Sequence, residues 1–151
     1  MTLISPMLQP DLNSAVVCPT NGRKGRRVET LTIRALLNRS LTEVSETKYW
    51  FCPDPACPTV YYSHDGSQTF DEAAVRERVY QKHAQDSAVL VCYCFQHTLG
   101  AIAADGARLE DEISAGVKNG QCACEIRNPQ GSCCLGNVKQ IVKRAEDARN
   151  I

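Results

Sequence analysis

Residues 49–62 read Tyr49-Trp50-Phe51-Cys52-Pro53-Asp54-Pro55-Ala56-Cys57-Pro58-Thr59-Val60-Tyr61-Tyr62. Two runs of aromatic and β-branched residues flank a proline-bearing turn, which predicts a β-hairpin. Its turn carries two cysteines with four residues between them, Cys52 and Cys57. Zinc takes four tetrahedral ligands, mostly thiolate and imidazole, and a short cysteine-bearing hairpin is a common source of two of them. Upstream, Val16, Val17, Cys18 and Pro19 run into Gly22 and Gly25, a strand entering a glycine-containing turn that presents sulfur and backbone amides to a metal. Cys18, Cys52 and Cys57 therefore form a candidate zinc set. A partner for Cys18 is expected at position 21, where the residue is Asn21. His64, just beyond the second strand, or a water would complete the shell. The competing reading makes these cysteines small buried hydrophobes without metal.

Composition narrows the class. The chain has 151 residues, enough for one domain or two small units, and units near 70 residues bury too little apolar surface to be stable without a staple. Seventeen basic and seventeen acidic residues cancel. The one dense basic stretch, Arg23, Lys24, Arg26 and Arg27, is too short for a nucleic-acid footprint and reads as a solvated loop. No stretch reaches the roughly 20 apolar residues of a membrane span, and no signal peptide is recognisable, so a cytoplasmic location is expected. Nine cysteines in that reducing compartment point to metal ligation rather than disulfides.

Outside the hairpin, Ile33, Leu36 and Leu37 predict a short helix from about Thr32 to Asn38. Asp65 and Gly66 make a turn, and Phe70 begins another short strand. Thr98 caps a short helix carrying Leu99 and Ile102. Leu109, Ile113 and Val117 lie on one face of a second helix that Gly120 ends. A last helix carries Leu135, Val138, Ile141, Val142 and Ala145 on one face. The expected fold is α+β, a small zinc-stapled hairpin subdomain followed by a helical one. Residues 1–15 read as a flexible leader, 16–70 as the β-rich unit, 71–88 as a polar connector and 89–151 as the helical unit.

The helical unit brackets its helices with two cysteine loops. Cys92 and Cys94 form a C-x-C pair, and Cys124 precedes Asn128, Pro129, Gly131, Cys133 and Cys134. A [2Fe-2S] cluster needs four thiolates, and two such loops on a small scaffold can supply them, with free backbone amides donating to sulfur. A thiolate at the start of the last helix is favoured by the helix dipole. Zinc held by four cysteines is the competing reading.

At these residues the chain resembles the N-terminal domain of CopZ-type copper chaperones, which carries zinc and a [2Fe-2S] cluster. The resemblance rests on Cys18-Pro19, the Trp50-Phe51-Cys52 to Cys57 hairpin with Val60-Tyr61-Tyr62, Val91-Cys92-Tyr93-Cys94, and Cys124 followed by Asn128-Pro129-Gln130-Gly131-Ser132-Cys133-Cys134. The second half also resembles the bacterioferritin-associated ferredoxin-like [2Fe-2S] module. These resemblances imply cluster ligands Cys92, Cys94, Cys124 and Cys134, with Cys133 as the alternative to Cys134, and zinc at Cys18, Cys52 and Cys57. The separate copper-binding domain of full CopZ chaperones, with its M-x-C-x-x-C motif, is absent from this sequence, so the chain is expected to be a stand-alone form or a fragment.

The function expected is one-electron transfer in copper homeostasis, with reduction of Cu(II) to Cu(I) for delivery, copper ions as cargo and a redox or copper-trafficking protein as partner. Cys122 and the unused member of Cys133 and Cys134 are candidate Cu(I) ligands or inert thiols. The alternatives are a partner-binding ferredoxin-like module not tied to copper and a structural double-zinc protein. No classical catalytic motif is present: His64, His83 and His97 lack Rieske-type pairing, and phosphate loops and nucleophile elbows are missing. His97 reads as solvent-facing and Trp50 as packing beside the zinc hairpin.

Overall fold

In the computed structural model, which describes residues 16–150, four short strands form an antiparallel meander in the order β1 (Arg26–Val28), β2 (Tyr49–Phe51), β3 (Thr59–Ser63) and β4 (Thr69–Asp71). The expected hairpin is its centre, with Trp50 opposite Tyr62 and Phe51 opposite Tyr61. The basic stretch is not a loop throughout. Arg26 and Arg27 belong to edge strand β1 with their side chains exposed, and charges on an edge discourage pairing with another chain. The leader assigned to residues 1–15 lies outside the described residues.

Because successive side chains of a strand point to opposite faces, the sheet divides its aromatic residues between two environments. Tyr49, Phe51, Val60 and Tyr61 join Val28, Ile33, Leu36, Leu37 and Phe70 in the first apolar core. Trp50, Cys52 and Tyr62 turn the other way and pack with Cys18 and Cys57. A bulge at Val60 between Thr59 and Tyr61 shifts the β3–β4 register. Trp50 is thus packed beside the cysteines.

Helix α1 (Thr30–Leu36) begins two residues before its expected start, and Leu37 leaves it to bridge Val75. The polar stretch 71–88 contributes Ala74, Val75 and Val79 to the first core. Its backbone is tied down as well: Asn38 N donates to Ala74 O at 2.8 Å, Arg76 N to Leu36 O at 2.8 Å and Val79 N to a Glu72 carboxylate oxygen at 2.7 Å. Charge alternation concealed these three apolar positions.

In the β3–β4 turn, Asp65 accepts from Ser63 Oγ and Ser67 Oγ, each at 2.8 Å, and from Ser67 N at 3.0 Å. The Ser67 amide and the two hydroxyls hold its carboxyl down at about 2, below the 3.8 of a free aspartate. A depressed folded pKa gives stability that is present above pH 3.8 and lost as pH falls toward 2. Asp65→Asn should therefore flatten the acid limb of the stability curve in this window, measured by denaturant melts from pH 5 to pH 2.

The second half opens with hairpin β5 (Leu90–Cys92) and β6 (His97–Thr98), whose turn carries Cys94. Thr98 Oγ1 accepts from Ala101 N at 3.2 Å and caps α2 (Leu99–Ala104), as the sequence predicts. Helix α3 (Gly106–Lys118) ends before Gly120, which adopts φ +71°. A one-turn helix α4 (Cys124–Arg127), absent from the expectations, interrupts the second cysteine loop before α5 (Leu135–Arg149). Ile102, Leu109, Ile113, Val138, Ile141 and Val142 form the second core, against which Cys92 and Cys134 are packed. Among the described residues no helix is long and apolar enough to cross a membrane.

Candidate metal centres

The first centre is assembled from two separate turns. Cys18 sits in a turn closed by Cys18 N donating to Arg23 O at 2.8 Å and Gly22 N to Cys18 O at 2.7 Å. Cys52 follows β2 directly, its amide bonded to Val60 O at 2.8 Å, and Cys57 closes the turn through its amide to Asp54 O at 3.1 Å. The three sulfurs lie within 4.8 Å of one another, with Cys18 Sγ and Cys57 Sγ 4.0 Å apart, and all three cysteines are buried. At a metal–sulfur distance of about 2.3 Å such spacing suits ligands of a single ion.

Burial opposes charge on Cys18, but the backbone amides of Asn21 and Thr20 and the Cys52 thiol outweigh it and hold the group below its ordinary value. Burial pushes Cys52 up to about 11 despite the nearby Lys82 ammonium.

Asn21 stands at the expected place of the missing cysteine. Its Oδ1 accepts from Arg23 N at 2.9 Å, while its Nδ2 donates to Asp54 Oδ2 at 3.0 Å and reaches Cys52 Sγ at 3.6 Å. The residue therefore turns an N–H group, not a ligand atom, toward the sulfurs. His64 is not the fourth ligand in this arrangement, because neither ring nitrogen lies within the sulfur cluster; its Nδ1 accepts from Trp50 Nε1 at 3.3 Å and its Nε2 is buried without a partner. Among the described residues, no further His, Cys, Asp or Glu joins the three cysteines. They fit zinc as three of its four ligands.

Lys82 had no signal in the sequence, since it lies in the stretch read as a connector. Its Nζ donates to Asp54 O at 2.7 Å and Cys57 O at 2.8 Å, clamping the cysteine turn and placing a positive charge beside the thiolates.

The second centre brings Cys92, Cys94, Cys124 and Cys134 together from two loops. Cys94 Sγ and Cys124 Sγ are 3.7 Å apart, and Ala123 N donates to Cys94 Sγ at 3.1 Å. Cys134 lies beside both Cys92 and Cys124. Its thiol lowers Cys92 to about 7 and Cys124 to about 6 and is itself raised well above its ordinary value, while burial raises Cys94 to about 11. Backbone amides of Phe95 and Cys94 reach Cys92, and that of Cys134 reaches Cys124. No three of these sulfurs lie mutually within 4.8 Å, unlike the three of the first centre. Four cysteine sulfurs on two loops, with an amide donating to one of them, are the residues that would hold a four-thiolate metal group.

Adjacent Cys133 and Cys134 are separated by burial: Cys134 is 2% exposed and Cys133 is exposed. Cys122 is half-buried beside this centre. His97 is not solvent-facing as expected. Its ring is mostly buried, with Nε2 3.3 Å from a Glu112 carboxylate oxygen.

Gln130, another residue the sequence did not mark, holds the Cys133–Cys134 turn. It is 3% exposed; its Nε2 donates to Ser132 O and Cys133 O, each at 3.1 Å, and its Oε1 accepts from Gln81 Nε2 at 2.7 Å and Asn137 Nδ2 at 2.9 Å. Gln130→Ala leaves those partners without a buried bond, at about 1–3 kcal/mol for an unsatisfied group. We expect a loss of about 2 kcal/mol in chemical denaturation. Gly131, at φ +74°, then brings the loop against Thr32 and Val28, and the Tyr61 hydroxyl donates to Pro129 O. The second cysteine loop is thereby seated on the first unit.

Comparison with known proteins agrees with this architecture. Residues 15–76 match the zf_CopZ family model, described as a zinc binding domain. No curated protein matches the chain. The chain is similar to the X-ray structure of the Archaeoglobus fulgidus CopZ N-terminal domain, with a TM-score of 0.64 at 25% identity over 83% of this chain and 97% of that one. The chain thus has a CopZ-like zinc-binding domain within a fold shared with a CopZ N-terminal domain, and its chemistry is metal handling.

Proposed function

We propose that this protein is a one-electron redox protein of copper homeostasis, with zinc at Cys18, Cys52 and Cys57 and a [2Fe-2S] cluster at Cys92, Cys94, Cys124 and Cys134. The observation that carries the reading is the second centre: four cysteines on two loops, with Cys94 Sγ and Cys124 Sγ 3.7 Å apart and the Ala123 amide donating to Cys94 Sγ.

When bound, such a cluster supplies one electron at a time, the equivalent needed to convert Cu(II) to the Cu(I) that soft thiolates bind. The chain's own part is to hold charge and exclude water. Cys92, Cys124 and Cys134 are buried, and amide donors to the sulfurs favour the more negative, reduced state. The similarity to a CopZ N-terminal domain supports copper as the cargo and a redox or copper-trafficking protein as partner. The helical unit's C-x-C pair and later cysteines lie on either side of helices α2 and α3, the order on which the ferredoxin-like reading rests.

Oxygen-free purification followed by iron, sulfide and zinc analysis tests both centres. We expect about two irons, two sulfides and one zinc per chain, with visible absorption that bleaches on reduction by dithionite. A colourless, iron-free protein prepared in this way would refute the redox reading. Reduced protein mixed with Cu(II) should regain its colour as a Cu(I)-specific chelator reports the product.

A further inference from the structure

The first centre offers three thiolates where zinc prefers four ligands, and the reason is Asn21. Its amide nitrogen donates to Asp54 and faces Cys52, and its oxygen accepts from Arg23 N, so the residue presents an N–H group rather than an oxygen to the sulfurs. The remaining chain offers no replacement among the described residues, and residues 1–15 contain neither cysteine nor histidine. Cys18 is 0% exposed, Cys52 1% and Cys57 5%, so the trio lies in a packed pocket with Trp50 and Tyr62. A buried, all-sulfur trio suits a soft monovalent ion satisfied by few ligands better than it suits a divalent ion seeking a fourth.

We propose that the Cys18, Cys52 and Cys57 site exchanges zinc for Cu(I), which it holds through three thiolates, making it a copper site of this chain. The exchange is ligand substitution without electron transfer: Cu(I) forms three sulfur bonds as Zn(II) loses three and leaves as the free dication. The complex becomes more negative by one charge, because a monovalent ion replaces a divalent one among three thiolates. Lys82, bonded to the carbonyls of Asp54 and Cys57, and the Asn21 N–H group beside Cys52 provide the positive surroundings that this charge requires. The proposal extends the copper reading to the first centre and is independent of the cluster.

The test is an oxygen-free titration of the full zinc-loaded chain with Cu(I), reading released zinc with a chromophoric chelator, iron by analysis, and the copper environment by X-ray absorption. We expect about one zinc released per copper bound, iron unchanged, and three sulfur neighbours around copper. Asn21→Cys restores a four-thiolate site and should shift the exchange toward zinc by roughly tenfold or more. Asn21→Ser, which adds no thiolate but removes the N–H group beside Cys52, should still release zinc to Cu(I) more readily than Asn21→Cys does. Zinc that stays bound in the parent chain, copper uptake matched by iron loss instead of zinc loss, or equal exchange by the Asn21→Cys chain would each overturn the proposal. A protein isolated without iron leaves the zinc readout intact, so the failure of the cluster reading is distinguishable from failure here.

Discussion

Cys134→Ser should abolish the visible absorption and most of the iron of the oxygen-free protein, whereas Cys133→Ser should retain both. The two residues are neighbours in sequence but not in environment. Cys134 precedes α5, is buried in the second core and lies beside Cys92 and Cys124, while Cys133 is exposed. At the start of a 15-residue helix, the Cys134 thiolate also meets the positive end of the helix dipole. Serine nearly preserves the volume, so the folded scaffold survives and the loss reads as lost ligation. Iron retained by Cys134→Ser and lost by Cys133→Ser would reverse the assignment; loss in both would be traced by circular dichroism to a damaged turn.

Removing zinc should have the largest effect on stability. A bound ion stabilises by mass action, about 4 kcal/mol when free zinc exceeds its Kd a thousandfold. For a chain of this size that corresponds to a melting temperature lower by roughly 10 °C. Cys52→Ser or treatment with a strong chelator should produce this shift, read by calorimetry. The damage should not stop at the knuckle. Cys52 continues β2, its amide pairs with Val60, and β3 carries the Tyr61 hydroxyl that supports Pro129 in the second cysteine loop. Zinc loss is therefore expected to hasten iron loss under oxygen, measured as the decay rate of visible absorption. An unchanged rate would show that the first unit's strands hold the loop without their metal.

Much of the local structure was legible because it depends on near neighbours. Aromatic and β-branched runs around Pro53–Pro58 specify a hairpin, Thr98 caps its helix, and the apolar positions of α3 and α5 recur at helical spacing. The short α4 escaped because one turn is too brief to set a periodicity. Arg26 and Arg27 escaped because an edge strand with exposed charges looks like a loop.

The sequence by itself determined which residues have metal chemistry: nine cysteines, grouped by spacing into an N-terminal trio and a C-terminal set, and an asparagine where a fourth knuckle ligand is expected. Tertiary structure alone decided how those groups meet. Cys18 and Cys57 are 39 positions apart yet their sulfurs are 4.0 Å apart, Lys82 acts through the carbonyls of the distant Asp54 and Cys57, and Gln130 is held by the distant Gln81 side chain. The physical reason is that ligation depends on the direction of lone pairs and amide protons. Spacing along a chain can nominate a sulfur or an amide, but only the packed backbone aims it, as with the Asn21 N–H group turned toward Cys52 and the Ala123 amide turned toward Cys94.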